Sequence, residues 1–136
     1  MQHLLDFAFD GKTGIDAVRA HETALIERFV TEIESIEGLT LHGPRQAAAR
    51  VAVFTVTIDG YTPHELSAIL ESQFAILTRS GIHCAPRAHE ALGTTPLGGG
   101  GGGTRLSFGV FNTVDDATRA AGALREIAGA QVVAQV

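Results

Sequence analysis

The sequence predicts an α+β fold: a small, mainly antiparallel sheet with the long helices packed on one face. Three observations carry this. Apolar residues at Ile15, Val18, Leu25, Ile26, Phe29, Val30, Ile33 and Ile36 recur near the 3.6-residue helical period, with Arg19, Glu22, Glu27, Glu32 and Glu34 mostly between them. Arg50 to Ile58 is β-branched and alternating, as a strand with one buried face should be. The chain has 136 residues, 45% hydrophobic and 18% charged, which suits one domain with one core.

Taken in order, the first helix runs from about Ile15 to Ile36, and Gly38 supplies a stop. Leu39 to His42 reads as a short strand, and Gly43-Pro44 as a turn. In the strand Arg50–Ile58, expected to be central, Val51, Val53, Thr55 and Thr57 face one way, and Ala52, Phe54, Val56 and Ile58 the other. Thr62 caps a second helix to about Gln73, with Pro63 in its first turn and Glu65 at the capping-box position. Ala75 to Arg79 is predicted as a short strand, Ser80-Gly81 as a turn, and Ala85 to Leu92 as one or two helical turns. Gly93 to Gly103, with six consecutive glycines, reads as a flexible loop. Thr104 to Phe111 is a strand, Val114 to Ala128 the last helix, and Gln131 to Val136 a short strand or a disordered tail.

Composition narrows the function classes. A formal net charge of -5 argues against a nucleic-acid partner. The apolar stretch Val51 to Ile58 is far too short to span a bilayer, and Met1 to Phe9 lacks a basic leader, so no membrane partner and a cytoplasmic, reducing setting are expected. The single cysteine, Cys84, cannot form an internal disulfide. Lys12 is the only lysine among ten basic residues; the rest are arginines, which suit two-point recognition of carboxylates and phosphates.

Two strings draw attention. In Arg79-Ser80-Gly81-Ile82-His83-Cys84-Ala85-Pro86, positive charge from Arg79, His83 and Arg87, and free N–H groups at a helix start, would favour a reactive thiolate. The plainer alternative is a small buried hydrophobe. Arg105, just after the glycines, either holds a carboxylate by two parallel hydrogen bonds or makes a surface ion pair. His83, Cys84 and His89 lack the paired spacing of a structural zinc site, so no metal is expected. The glycine run precedes a strand, unlike a dinucleotide fingerprint, and Gly11-Lys12-Thr13 lacks the earlier glycine of a phosphate loop because that residue is Asp6.

Together, the string around Cys84, then His89, Leu92-Gly93-Thr94 and Thr104-Arg105-Leu106-Ser107-Phe108-Gly109-Val110-Phe111-Asn112-Thr113, resembles the C-terminal part of cysteine desulfurases and related class V aminotransferases. Ala20-His21-Glu22, Asp59-Gly60 and Pro63-His64-Glu65 also look like that family, so nearly the whole chain is covered. The resemblance implies the small C-terminal domain of a fold-type I enzyme dependent on pyridoxal phosphate (PLP), with residues 1–136 as one domain and the cofactor-binding large domain missing. Cys84 matches the nucleophile that takes sulfur from cysteine and becomes a persulfide. Arg105 matches the arginine that binds the substrate's α-carboxylate. Arg79 and His83 match positions that ionise or position the cysteine. Asn112 and Thr113 match a structural strand-to-helix turn.

Two departures stand out. The connection from Thr95 to Gly103 is richer in glycine than in relatives, and Lys12 does not match the cofactor-binding lysine. PLP is therefore expected in the parent enzyme and not in the isolated chain, which should be inactive alone. Implied partners are the missing PLP-binding domain, cysteine as substrate, a sulfur-acceptor protein, and a second copy of the parent as a homodimer. The alternative is a stand-alone, non-catalytic binding or sulfur-relay module carrying a persulfide on Cys84.

Overall fold

The computed structural model describes residues 8–9, 11–95 and 101–134, with side chains of the last helix to residue 130. Two-residue strands β1 (Ala8–Phe9) and β2 (Lys12–Thr13) form a small hairpin about Gly11, ahead of helix α1 (Gly14–Ile33). Then come β3 (Leu39–His42), a 3-10 turn at Ala47–Ala49, β4 (Val53–Ile58), α2 (Pro63–Phe74), β5 (Arg79–Gly81), α3 (Pro86–Ala91), β6 (Gly103–Ser107) and α4 (Val114–Ala134). The main sheet is antiparallel throughout in the order β3-β4-β6-β5. The predicted α+β class therefore holds, with β4 central.

The core lies on one face of the sheet. Alternation in β4 buries Phe54, Val56 and Ile58, while Val53 faces out. Leu25, Ile26, Phe29 and Val30 of α1, Leu66 and Leu70 of α2, and Ala117, Ala121 and Leu124 of α4 pack against them. Phe29, Phe54 and Phe108 form a trio with ring centroids 4.5, 5.2 and 5.7 Å apart. Such tilted aromatic contacts add to the area they bury. The Arg50 guanidinium lies 4.3 Å from the Phe54 ring centroid and closes one edge of the core.

Helix α2 starts at the expected capping box. Thr62 Oγ1 accepts from the Glu65 N–H at 3.2 Å, and Glu65 Oε2 accepts from the Thr62 N–H at 2.8 Å. The Thr62 N–H, joined by the Thr62 hydroxyl donating to the same Oε2 at 2.7 Å, holds the Glu65 carboxyl below the usual carboxylate range. The helix ends on Ala75 in the left-handed region (φ 53), with the Ile76 N–H reaching back to the Leu70 carbonyl.

That ending displaces the strand expected at Ala75–Arg79. Pairing starts only at Arg79, where β6 is opposite. The expected strand Arg50–Ile58 begins late, at Val53. Arg50 donates to the Pro44 and Val53 carbonyls, and the Val53 N–H bonds the Val51 carbonyl at 2.7 Å, so this stretch is bent. Its partner β6 accordingly stops at Ser107, opposite Val53, rather than at Phe111. The alanine-rich last helix continues to Ala134, through the segment read as strand or disordered; residues 135–136 of that segment lie outside the described residues. No helix among the described residues is long and apolar enough to cross a membrane.

Candidate active site on the open sheet face

The other face of the sheet carries the polar row. Strand register sets Thr55, Arg105 and Arg79 directly opposite one another across β4, β6 and β5, with His42 opposite Thr55. Thr104 and Leu106 flank Arg105 in sequence and point into the core. Thr104 Oγ1 donates to the Pro63 carbonyl at 3.0 Å, and Leu106 is buried. Alternation therefore puts the Arg105 side chain on the open face. Its Nε is buried and has no hydrogen-bond partner. Among the described residues neither Arg79 nor Arg105 has an ion pair, whereas Arg28, Arg45 and Arg125 each pair with a glutamate. Like charges directly across a sheet repel. Two unpaired guanidiniums in that arrangement make a site suited to an anion.

Cys84 stands at the end of this row and is exposed. It lies in a tight turn, Ile82 to Ala85, closed by the Ala85 N–H on the Ile82 carbonyl at 2.8 Å. Both central residues, His83 (φ 52) and Cys84 (φ 60), are left-handed. Arg79 Nη2 donates toward Cys84 Sγ at 3.7 Å, a contact that stabilises a sulfur bearing negative charge. Helix α3 has only six residues, and the polar contact given to Cys84 comes from this guanidinium rather than from a helix start. His83 Nε2 lies 2.8 Å from the Arg79 carbonyl, which only accepts, so the ring must donate Nε2–H.

Three histidines complete the face. His42 bonds Thr57 Oγ1 at 3.0 Å. His89, buried, bonds Thr94 Oγ1 at 2.8 Å and lies with its ring 5.6 Å from that of His83. Burial lowers the pKa of His42 below the ordinary imidazole value, and the charge of His89 adds to this. Burial likewise lowers that of His83. The bond to the Arg79 carbonyl opposes the shift, while Arg105, His89 and Arg79 push the same way as burial. No group of three or more His, Cys, Asp or Glu able to hold a metal occurs among the described residues.

The glycine-rich connection is built in at its end. Of the six glycines, 98–100 lie outside the described residues. Gly102 takes φ 101, and a Cβ there would collide with the Gly81 backbone; at Gly103 a Cβ would collide with the Thr55 methyl. The Gly102 N–H bonds the Thr94 carbonyl at 2.6 Å. Close approach of Gly102 to Gly81 thus fixes β5 against β6, and with it Cys84 relative to Arg105.

All four residues singled out in the sequence, Arg79, His83, Cys84 and Arg105, come together here. His42, Thr94, Gly102 and Gly103 went unrecognised as parts of the site. Leu92-Gly93-Thr94 carried a signal for Thr94, whereas a lone histidine at the end of a short strand carried none for His42. These residues suit a carboxylate and a sulfur nucleophile. They do not suit PLP alone, since they include no amine to bind it. Lys12 sits instead beside Asp16 and Arg19 at the start of α1.

The family model for aminotransferase class-V matches residues 1–119. The chain belongs to this family. Among class-V relatives, a probable cysteine desulfurase of Halobacterium salinarum is 34% identical over 103 residues, which are 76% of this chain and 23% of that protein. Probable cysteine desulfurase 2 of Mycobacterium leprae is 33% identical over 117 residues, 84% of this chain and 26% of that one. The apo structure of the cysteine desulfurase of Thermococcus onnurineus NA1 superposes with a TM-score of 0.76 at 27% identity, covering 86% of this chain and 27% of that chain. The chain thus spans about a quarter of the length of the relatives it matches. The family is PLP-dependent.

Proposed function

We propose that this chain forms the part of a cysteine desulfurase that accepts sulfur on Cys84 and binds the substrate carboxylate on Arg105, with the cofactor held by residues outside it. The observation that carries this reading is the placement of Arg79 Nη2 3.7 Å from Cys84 Sγ, directly across the sheet from Arg105 and its unpartnered Nε. The reading is supported by the class-V family match and by relatives named as cysteine desulfurases.

In this reading the cysteine carboxylate docks on Arg105 by charge-assisted hydrogen bonds, which orient the substrate. The Cys84 thiolate attacks the substrate sulfur. An S–S bond forms as the C–S bond breaks, leaving a persulfide on Cys84. The electron pair stays with the departing carbon, which takes up a proton and leaves as alanine. PLP supplies the electron sink for such cleavage, and no residue of this face replaces it. The Arg79 N–H steadies the sulfur of Cys84 before attack. By the same proposal an acceptor protein removes the persulfide sulfur, and the complete enzyme is a cytoplasmic homodimer.

The test joins this chain to its cofactor-bearing part and measures alanine and sulfide from cysteine. Cys84→Ala is expected to abolish persulfide formation and sulfide release. Full activity in that variant overturns the nucleophile role. A persulfide trapped on Cys84 in this chain without PLP would instead support the stand-alone relay.

A further inference from the structure

The turn that presents Cys84 has an unusual composition. Left-handed backbone at both central positions of a hydrogen-bonded turn is the geometry of a type I′ turn, which asparagine and glycine supply at little cost. Here the two positions are His83 (φ 52) and Cys84 (φ 60). Each carries a Cβ that disfavours this region, so other contacts must hold the turn.

Two of the contacts around this turn converge on the His83 ring. Nε2–H donates to the Arg79 carbonyl at 2.8 Å, tying the turn back to the end strand β5. The other side of the ring meets His89, which is itself buried and bonded to Thr94 Oγ1 at 2.8 Å. Thr94 in turn accepts the Gly102 N–H through its carbonyl. A continuous path therefore runs from the start of β6 through Thr94 and His89 to His83 and the Arg79 carbonyl. The Arg79 side chain reaches Cys84 Sγ from the same residue whose carbonyl His83 holds. Relaxation of His83 to ordinary extended backbone would carry Cys84 away from that guanidinium.

We propose that His83 is a positioning residue that holds Cys84 in its left-handed turn through the Arg79 carbonyl. The inference deepens the sulfur-acceptor reading by assigning the device that aims the nucleophile. The turn geometry itself does not depend on that reading.

The experiment uses this chain, in which Cys84 is the only thiol. NMR-detected hydrogen exchange of the Ala85 amide reports closure of the turn, and the rate of Cys84 alkylation by iodoacetamide at fixed pH reports its presentation. His83→Ala removes the donor and leaves a Cβ in the left-handed region. Ala85 exchange should rise about tenfold and alkylation should slow. His83→Gln keeps an N–H donor near the position of Nε2 and should restore both to within about threefold of wild type. His83→Gly removes the donor and the backbone strain together and should fall between Gln and Ala.

Unchanged Ala85 exchange in His83→Ala overturns the proposal. So does a Gln variant as defective in alkylation as Ala while its Ala85 amide stays protected, since that outcome requires the imidazole as a base. Amides of Phe54 and Leu124 monitor the core. If His83→Ala loses protection there too, Gln against Gly decides: equal Ala85 exchange in the two overturns the proposal. Neither readout uses cysteine cleavage, so failure of the desulfurase reading, seen as persulfide formation without Cys84, stays distinct from failure of this one.

Discussion

Arg79 and Arg105 face each other across the β5–β6 pair, and among the described residues neither is paired with an acid. Their local cost and their proposed use are therefore separable. Arg105→Ala removes a like-charge contact and should leave the thermal midpoint of this chain unchanged or slightly raised. In the complete enzyme the same change should raise KM for cysteine by about a hundredfold, through loss of a charge-assisted, two-point anchor. Thermal unfolding and steady-state kinetics check the two halves; a lowered midpoint with unchanged KM would make Arg105 structural. At this scale the sequence was legible where motifs are local: Cys84, His83 and Arg79 lie within six positions. His42 was not legible, because its neighbour across the sheet is set by strand register, and His89 was visible as a metal candidate and as part of the family resemblance, with no role at the site attached.

At the level of elements, glycine has opposite meanings in two places. In the β6 approach, Gly102 has positive φ and no room for a Cβ beside Gly81. Gly102→Ala should destabilise by roughly 2–4 kcal/mol, from backbone strain and overpacking together. It should also loosen β5 and lower Cys84 alkylation to the level of His83→Ala. In helix α4, a Cβ at Gly122 meets nothing within 4 Å. Gly122→Ala should stabilise by about 1 kcal/mol, the helical preference of alanine. Chemical denaturation of the two variants gives both signs. The glycine run reads as a flexible loop because the constraint on its end is a contact with a strand some twenty residues earlier. Helix α2 was legible nearly to its ends because it carries its own period and its cap at Thr62 and Glu65, whereas the last helix, expected to stop at Ala128, runs on to Ala134. The short strands were displaced, since a strand of three residues is defined by its partner more than by its composition.

For the whole molecule, one sheet divides two environments: a dry face of packed phenylalanines and leucines, and a polar face rich in arginine and histidine. This division follows from the alternation in β4 and was legible from Ala52, Phe54, Val56 and Ile58. The order β3-β4-β6-β5 was not, because no local pattern specifies which strands become neighbours. The polar face makes stability depend on pH. The His42 and His83 pKa values are lowered in the fold, chiefly by burial. The folded state therefore binds protons less readily than the unfolded chain. This contribution is fully present above pH of about 6.5 and is lost as pH falls through the lowered folded values. Glu65 and Asp116, also lowered, keep their share until the carboxylate range is reached. Thermal midpoints from pH 8 to 4 should fall in two stages, and His42→Asn should flatten the first. A midpoint that rises on acidification to pH 5.5 would contradict this.

The pairing of Thr55 with Arg105 also bears on how the chain reaches this state. The β3–β4 hairpin joins near neighbours, whereas β4–β6 must close a loop that contains α2, β5 and α3. Such long closures slow folding, because chain entropy is lost before contacts repay it. The hairpin and the helices can form while Arg105 is still remote. The arginine row and the Cys84 turn are completed only when β6 enters the sheet. The carboxylate anchor and the aimed thiol therefore arrive together, at the end of folding, and a chain that has not yet seated β6 has neither.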